Sequence, residues 1–246
     1  MRKRRGQIID GVVLIDKPVD CSSNHVLQRV KRLIDAQKAG HTGTLDPFAT
    51  GLLICCLGKA TKIATRMLDA DKQYVATLKF GQETDSGDLT GVTVADLGAD
   101  YVAPDRDVIK TALKQFVGTI EQVPPMTSAL KHKGKPMYHY ARQGIEIERP
   151  PRQVVIHDLR LLEYDGATAT ISVDCSKGTY VRTLAQDIGR VLGVYAHLVA
   201  LKRTRIGPFL LADAWSVSSL EALDDAQRVV LATDMLPEPY RLEVIS

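Results

Sequence analysis

Gly40-His41-Thr42-Gly43-Thr44-Leu45-Asp46-Pro47-Phe48-Ala49-Thr50-Gly51-Leu52-Leu53-Ile54-Cys55-Cys56-Leu57 divides into two halves of opposite character. The first half, to Gly51, holds three glycines, three threonines and a proline, and reads as an ordered loop. The second half, Leu52 to Leu57, is a continuous apolar run of the length of a buried strand. Chemistry is commonly placed on loops held between regular elements. The one carboxylate of this loop is Asp46, and Pro47 behind it biases its backbone away from helix. Taken alone, an Asp-Pro pair in a glycine-rich loop is more often a turn former than a catalyst.

Working outward, Gly11 to Asp16 is a second short apolar run, ended by Lys17-Pro18. Ser22 or Ser23 caps a helix whose apolar face is Val26, Val30, Leu33 and Ile34, stopped by Gly40. Beyond Leu57, Ala60, Ile63, Ala64, Met67 and Leu68 mark another amphipathic helix. Tyr74, Ala76, Leu78 and Phe80 alternate with Val75, Thr77 and Lys79, which predicts a strand with Tyr74 on its apolar face. Residues 81 to 91 read as an acidic loop and 106 to 117 as a helix. Strands are expected over 153–157, 159–164 and 168–175, with Asp158 separating the first two, and a helix over Thr179 to Leu192. Strand runs with interspersed helices, rather than strict alternation, indicate an α+β fold with a mixed, largely antiparallel sheet flanked by helices.

Composition narrows the function class. The 45% apolar and 25% charged residues exclude a disordered or fibrous chain. No apolar stretch approaches the roughly 20 residues needed to span a bilayer, and Asp10, Asp16 and Lys17 interrupt any signal-like run behind the basic start, so a cytoplasmic protein is expected. Cys21, Cys55, Cys56 and Cys175 lack metal or redox spacing, and the six histidines form no ligand motif, so no metal is expected. Charge is unevenly placed. Residues 131 to 152 hold three lysines and three arginines against two glutamates, and 177 to 205 hold six basic residues against Asp187, while 83 to 107 is acidic. Concentrated basic charge suits a phosphate-binding surface, although solvated surface charge gives the same pattern. The prolines at 124, 125, 136, 150 and 151 make about 123–153 a poor core and a good inserted surface arm.

The loop string Gly-His-Thr-Gly-Thr-Leu-Asp-Pro-x-Ala-Thr-Gly-Leu-Leu resembles the active-site motif of the bacterial TruB family, the tRNA pseudouridine-55 synthases. Further segments resemble the family in order: Ile15-Asp16-Lys17-Pro18 with Ser22-Ser23, Gly58 to Lys62, Asp71-Lys72-Gln73-Tyr74, Glu83-Thr84-Asp85, Gln122 to Lys131, Tyr138 to Gly144, Cys175 to Thr183, and Ala196-His197 to Arg203. The similarity covers roughly residues 9 to 236. Single motifs of this length are weak signals, and eight in family order are a strong one.

The resemblance implies a pseudouridine synthase fold and a cofactor-free isomerisation of uridine at position 55 in the T-loop of tRNA. It implies that Asp46 is the nucleophile, acting at the sugar by covalent attack or proton abstraction. Arg182 matches the arginine that pairs with that aspartate; read from its own segment alone it is a phosphate contact or solvated helix residue. Tyr74 matches the tyrosine that stacks on the flipped base, where plain packing in a half-buried strand is the other reading. His41, Tyr180 and Leu201 correspond to substrate-contacting positions; a loop-bracing histidine and a core leucine are their ordinary alternatives. The basic segment, with Lys131, Lys133, Arg142 and interleaved Tyr138 and Tyr140, takes the place of the family's RNA-gripping arm.

Two departures stand out. Asp20 occupies a place where the family usually has glycine, and Phe48 one where leucine is usual. Many relatives continue past the equivalent of Ser246 into a C-terminal domain of the PUA type, so residues 1–246 are expected to be the catalytic domain with that addition absent. A monomer acting without guide RNA or obligate protein partner is the corresponding expectation. The competing functions are a non-catalytic tRNA-binding or folding factor using the same arm, and a glycoside hydrolase, which would need a second carboxylate that no comparable loop supplies.

Overall fold

The computed structural model describes residues 6–128 and 130–234, in two compact units. One comprises the chain up to Lys72 and from Lys202 onward, and the other Gln73–Leu201. The elements in chain order are β1 (Gly11–Lys17), α1 (Ser23–Leu33), β2 (Ala39–His41), β3 (Thr50–Leu57), a 3-10 turn (Gly58–Lys62) and α2 (Ile63–Asp69), followed by β4 (Lys72–Phe80), β5 (Gln82–Thr84), β6 (Thr93–Asp96), α3 (Arg106–Lys114) and β7 (Gly118–Gln122). After these come β8 (Lys131–His132), β9 (Lys135–Pro136), α4 (Met137–Ala141), β10 (Arg152–Tyr164), β11 (Thr168–Cys175), α5 (Val181–Val191) and β12 (Ala196–Ile206). The chain then gives β13 (Phe209–Leu210), β14 (Trp215–Ser216), α6 (Val217–Ala222) and α7 (Asp225–Asp234). The fold is α+β with a mixed, largely antiparallel sheet.

In the first unit β1 and β3 pair antiparallel along their length, from Gly11 opposite Leu57 to Lys17 opposite Gly51. Beside them, β14 joins β1 in parallel, β2 joins β3 antiparallel, and Lys202 and Arg203 of β12 join Thr50 and Gly51 in parallel. Both faces of this sheet are covered. Val13, Ile15, Leu53, Cys55 and Leu57 pack with Val26, Val30 and Ile34 from the α1 region and Val217 and Leu220 of α6. Val12, Leu14, Leu52, Ile54 and Cys56 pack on the opposite face with Met67 of α2 and Phe209. That is why the runs are apolar at every position instead of alternating: a strand buried on both faces has no polar side. It also places the adjacent Cys55 and Cys56 thiols on opposite faces. Both are buried free thiols, which burial holds above the ordinary range, Cys56 at about 12.

The helix α1 begins as its sequence indicates, with the Ser22 hydroxyl accepting from the His25 amide at 3.1 Å. At the C-terminal end of α2 the Lys72 ammonium donates to the carbonyls of Met67, Leu68 and Ala70, so a lysine of the Asp71-Lys72-Gln73-Tyr74 segment is a helix stop.

In the second unit β10 lies between β11 and β7, antiparallel to both. Helix α3 packs on β10 and meets α5, with Ile109, Leu113, Leu184 and Ile188 buried. The strands expected at 153–157 and 159–164 are one strand: the register shifts between Ile156, opposite Cys175, and Asp158, opposite Asp174, so the irregularity falls at His157 and Asp158 pairs on without ending the strand. The segment expected as an acidic loop contains β5, which forms a two-stranded antiparallel ribbon with β6. Gln122 pairs directly with Arg152, so residues 123–151 leave and rejoin the sheet between neighbouring strands. Within this excursion β8 and β9 form a hairpin whose turn residues, Lys133 and Gly134, both have positive φ (47° and 82°), as a tight two-residue hairpin requires.

Candidate functional site

In the first unit, the Asp46 loop runs from the end of β2 to the start of β3 and is fixed through its main chain. Thr42 N–H donates to the Ile54 carbonyl and Ala49 N–H to the Asp46 carbonyl. The buried Ser23 hydroxyl receives the Leu45 N–H at 2.8 Å and donates to the Leu45 carbonyl at 3.1 Å. One residue beyond Asp46, the Pro47 carbonyl accepts from the Lys17 ammonium at 3.2 Å. That ammonium also donates to Cys21 O at 2.6 Å and Pro18 O at 2.9 Å, which matches its three protons with three acceptors. Arg203 donates from Nε to Leu52 O at 2.8 Å and from Nη2 to Gly43 O at 3.2 Å.

Two cations are therefore sealed against this loop, Lys17 at 0% and Arg203 at 2% exposure. Burial pushes the Lys17 ammonium below the ordinary lysine range; Cys21, Asp46 and Asp20 oppose the shift and Arg203 adds to it. Asp46 itself is half-buried. Asp20 has φ 59°, a left-handed conformation glycine adopts without steric cost and aspartate tolerates. It thus places a negative charge near Lys17 in the turn after Lys17-Pro18. Phe48 is buried. His41, the last residue of β2, is half-buried, and its imidazole is held below the usual histidine range by burial and by the Arg203 charge. Its Nδ1 is enclosed and finds no hydrogen-bond partner among the described residues.

In the second unit Arg182 is in the first turn of α5, 5% exposed. Its guanidinium donates to Ser86 O at 3.1 Å, to Thr127 O at 3.0 Å and to Thr127 Oγ1, and lies 3.5 Å from Asp88 Oδ2. Asp88 is equally buried, and its Oδ1 accepts from Ser86 Oγ, Thr90 N–H and Thr90 Oγ1 at 2.9, 2.9 and 2.6 Å. The arginine is thus held within a buried polar cluster, which excludes the reading of a solvated helix residue. Tyr180 precedes the helix with its N–H donated to Gln122 Oε1 at 3.0 Å, while Gln122 Nε2 donates back to its carbonyl. Tyr74 is half-buried on β4, and Leu201 is buried on β12 at 8% exposure. Lys131, Lys133 and Arg142 are exposed, Arg142 with its guanidinium carbon 5.5 Å from the Tyr138 ring centroid. Tyr140 OH donates to His132 O at 3.1 Å, which ties α4 to the hairpin.

Asp46 and His41 thus belong to one unit, and the other predicted site residues to the second. Three residues carrying this local geometry were given no site role from sequence: Ser23, Arg203 and Asp88. Arg203 had a signal, since Leu201 and Arg203 share a buried side of an alternating strand, and a charge on an apolar side needs dedicated partners. Among the described residues no cluster of three or more His, Cys, Asp or Glu could hold a metal, and no helix is long and apolar enough to cross a membrane.

The first unit thus carries a pinned loop with one half-buried carboxylate, and the second an oriented buried arginine and, on an excursion from the sheet, exposed basic and aromatic residues. The chain belongs to the TruB family of pseudouridylate synthases. The profile of the N-terminal domain of that family matches residues 31–181, and the profile of the tRNA pseudouridylate synthase B C-terminal domain matches 182–237. It is 61% identical over 237 residues to tRNA pseudouridine synthase B of Bordetella pertussis, covering 96% of this chain and 97% of that protein. With the enzyme of the same name from Aromatoleum aromaticum it shares 55% identity over 229 residues, 93% of this chain and 73% of that one. Among solved structures it is similar to a chain of a Cbf5–Nop10–Gar1 complex, with TM-score 0.69 and 30% identity over 95% of this chain. The match spans only 59% of that longer chain.

Proposed function

We infer that this chain isomerises uridine to pseudouridine in tRNA, at position 55 of the T-loop. The observation that carries the reading is its 61% identity, over nearly the whole of both chains, to a protein named tRNA pseudouridine synthase B; position 55 rests on the resemblance of the loop motif. The chemistry is internally balanced: the C1′–N1 bond breaks, the uracil turns, C1′ bonds to C5, the C5 proton leaves and N1 gains one. No redox carrier or energy donor is needed.

Asp46 is the nucleophile in this reading, either bonding to C1′ or taking a proton from the sugar, and Arg182 and Tyr74 act with it. Stacking of the extruded base on Tyr74 is worth about 1–3 kcal/mol, comparable with the cost of unstacking it. His41, Tyr180 and Leu201 contact the nucleotide, and the enclosed Nδ1 of His41 supports a hydrogen-bonding role for that ring. Lys131, Lys133 and Arg142 hold tRNA phosphates. The protein acts as a cytoplasmic monomer without guide RNA, obligate protein partner, metal or cofactor.

Incubating a uridine-55 tRNA transcript with the pure protein and no additive, followed by pseudouridine detection, tests the reading. The native chain is expected to convert the transcript, and Asp46→Asn to bind it without conversion. A native chain that binds and never converts would instead be a tRNA-binding or folding factor. Full activity in Asp46→Asn would remove the nucleophile assignment.

A further inference from the structure

We infer that Arg203 is a positioning residue for the Asp46 carboxylate, setting the geometry of the catalytic loop from its two ends; this rests on the reading of Asp46 as nucleophile. The loop leaves β2 after His41 and enters β3 at Thr50. The Arg203 guanidinium holds a carbonyl at each mouth, Gly43 O at 3.2 Å just after the exit and Leu52 O at 2.8 Å just after the re-entry. Its own backbone pairs with Gly51 between them. One planar group with donors in a rigid fork thus spans the loop, where a flexible ammonium would hold the same carbonyls with less fixed geometry.

Burial makes the arrangement stringent. At 2% exposure the guanidinium cannot exchange these carbonyls for bulk water without opening the sheet. Ser23 and Lys17 fix Leu45 and Pro47 on either side of Asp46, and Arg203 fixes the frame in which those two clamps operate. Its charge also falls on the site, since it depresses both the Lys17 ammonium and the His41 imidazole. A carboxylate that must meet its reacting sugar atom within a fraction of an ångström depends on such a frame, because small misplacements cost rate far more than affinity.

The test compares the native chain, Arg203→Lys and Arg203→Ala by cooperative melting, by the dissociation constant for a uridine-55 tRNA transcript, and by the single-turnover rate of pseudouridine formation. Arg203→Ala is expected to lose about 100-fold in rate and Arg203→Lys about tenfold, with tRNA affinity within about threefold of native. Added methylguanidinium should restore part of the rate to Arg203→Ala. Rates within about twofold of native in both variants, a rate loss mirrored by an equal affinity loss, or loss of cooperative melting in both would each overturn the assignment. An inactive native chain overturns the function reading and this assignment with it. An active native chain with unaffected variants overturns this assignment alone.

Discussion

Gly51→Ala is the substitution whose cost the structure allows to be worked through. A methyl carbon at this position would lie 2.3 Å from the Arg203 carbonyl oxygen, 2.7 Å from its nitrogen and 3.0 Å from its carbonyl carbon. All three are backbone atoms, so no side chain can swing away. Gly51 also has φ 96°, where an L-residue pays about 1–2 kcal/mol. Forcing one methyl group into a packed contact adds about 1–3 kcal/mol. The expected total is about 2–5 kcal/mol, a large part of a stability of roughly 5–15 kcal/mol, and lowers Tm by roughly 4–20 °C. Urea melts followed by far-ultraviolet circular dichroism measure it, with Gly98→Ala as control. Gly98 has φ 51° but nothing within 4 Å of the added carbon, so its loss should stop at about 1–2 kcal/mol. If Gly51→Ala melts with the native slope and within about 1 kcal/mol of the native midpoint stability, the close approach of the two strands is not the constraint described.

Asp88→Asn removes a carboxylate 3.5 Å from the buried Arg182 guanidinium and is expected to cost about 1–3 kcal/mol, the usual loss for a buried charge-assisted contact; a urea melt shows it, and a pseudouridine assay should fall at least about tenfold. Stability should decline with alkaline pH because the core keeps the Cys55 and Cys56 thiols protonated while the unfolded chain ionises them from 9.0 upward. The unfolded state then binds fewer protons than the folded one, so unfolding becomes easier by about 1.4 kcal/mol per pH unit per thiol. That loss runs from 9.0 towards about 12 for Cys56, and denaturant melts of Cys55→Ala/Cys56→Ala against pH should show a shallower decline. For the excursion from the sheet, neutralising Lys131, Lys133 and Arg142 together should weaken tRNA binding and lower the slope of log affinity against log salt by about 2–3. An unchanged slope in filter-binding titrations would show that these cations hold no phosphates.

The core of the first unit was legible because β1 and β3 are buried on both faces and read as unbroken apolar runs, while α1 carries a clear helical stripe and a serine cap. Strand β12 was not, because Lys202, Arg203 and Arg205 interrupt it, and Arg203 takes a buried position that apolar periodicity assigns to a hydrophobe. Strands β5 and β6 are short and carry acidic residues with glycine nearby, the composition of a loop. Asp158 read as a break because one polar residue cannot announce a bulge that lets the strand continue. In the candidate site, the loop and Asp46 stood out as a continuous string. The clamps could not: Ser23 and Arg203 reach the loop from a helix and from a late strand, and pairwise contacts between distant segments leave no local pattern. Asp88 lay three residues beyond the Glu83-Thr84-Asp85 segment and became visible only through its arginine.

The clamps share a physical logic. Gly43, Leu45, Pro47 and Leu52 are all held through carbonyl oxygens, which every residue type provides, so apart from the glycines at positive φ, Gly43 and Gly51, these clamps do not depend on which side chains the loop carries. It also explains which departures can be absorbed. Phe48 is buried, but none of these carbonyls belongs to it, so an exchange of leucine for phenylalanine there is a matter of packing volume. Asp20 is different, because its turn leads into Cys21, whose carbonyl takes one of the three Lys17 protons. A change of backbone preference at that turn acts on the ammonium, through the ammonium on Pro47, and so on the residue following Asp46. The tolerance of the loop to its own sequence is therefore obtained by concentrating the constraint on Lys17, Ser23 and Arg203, three buried side chains outside it.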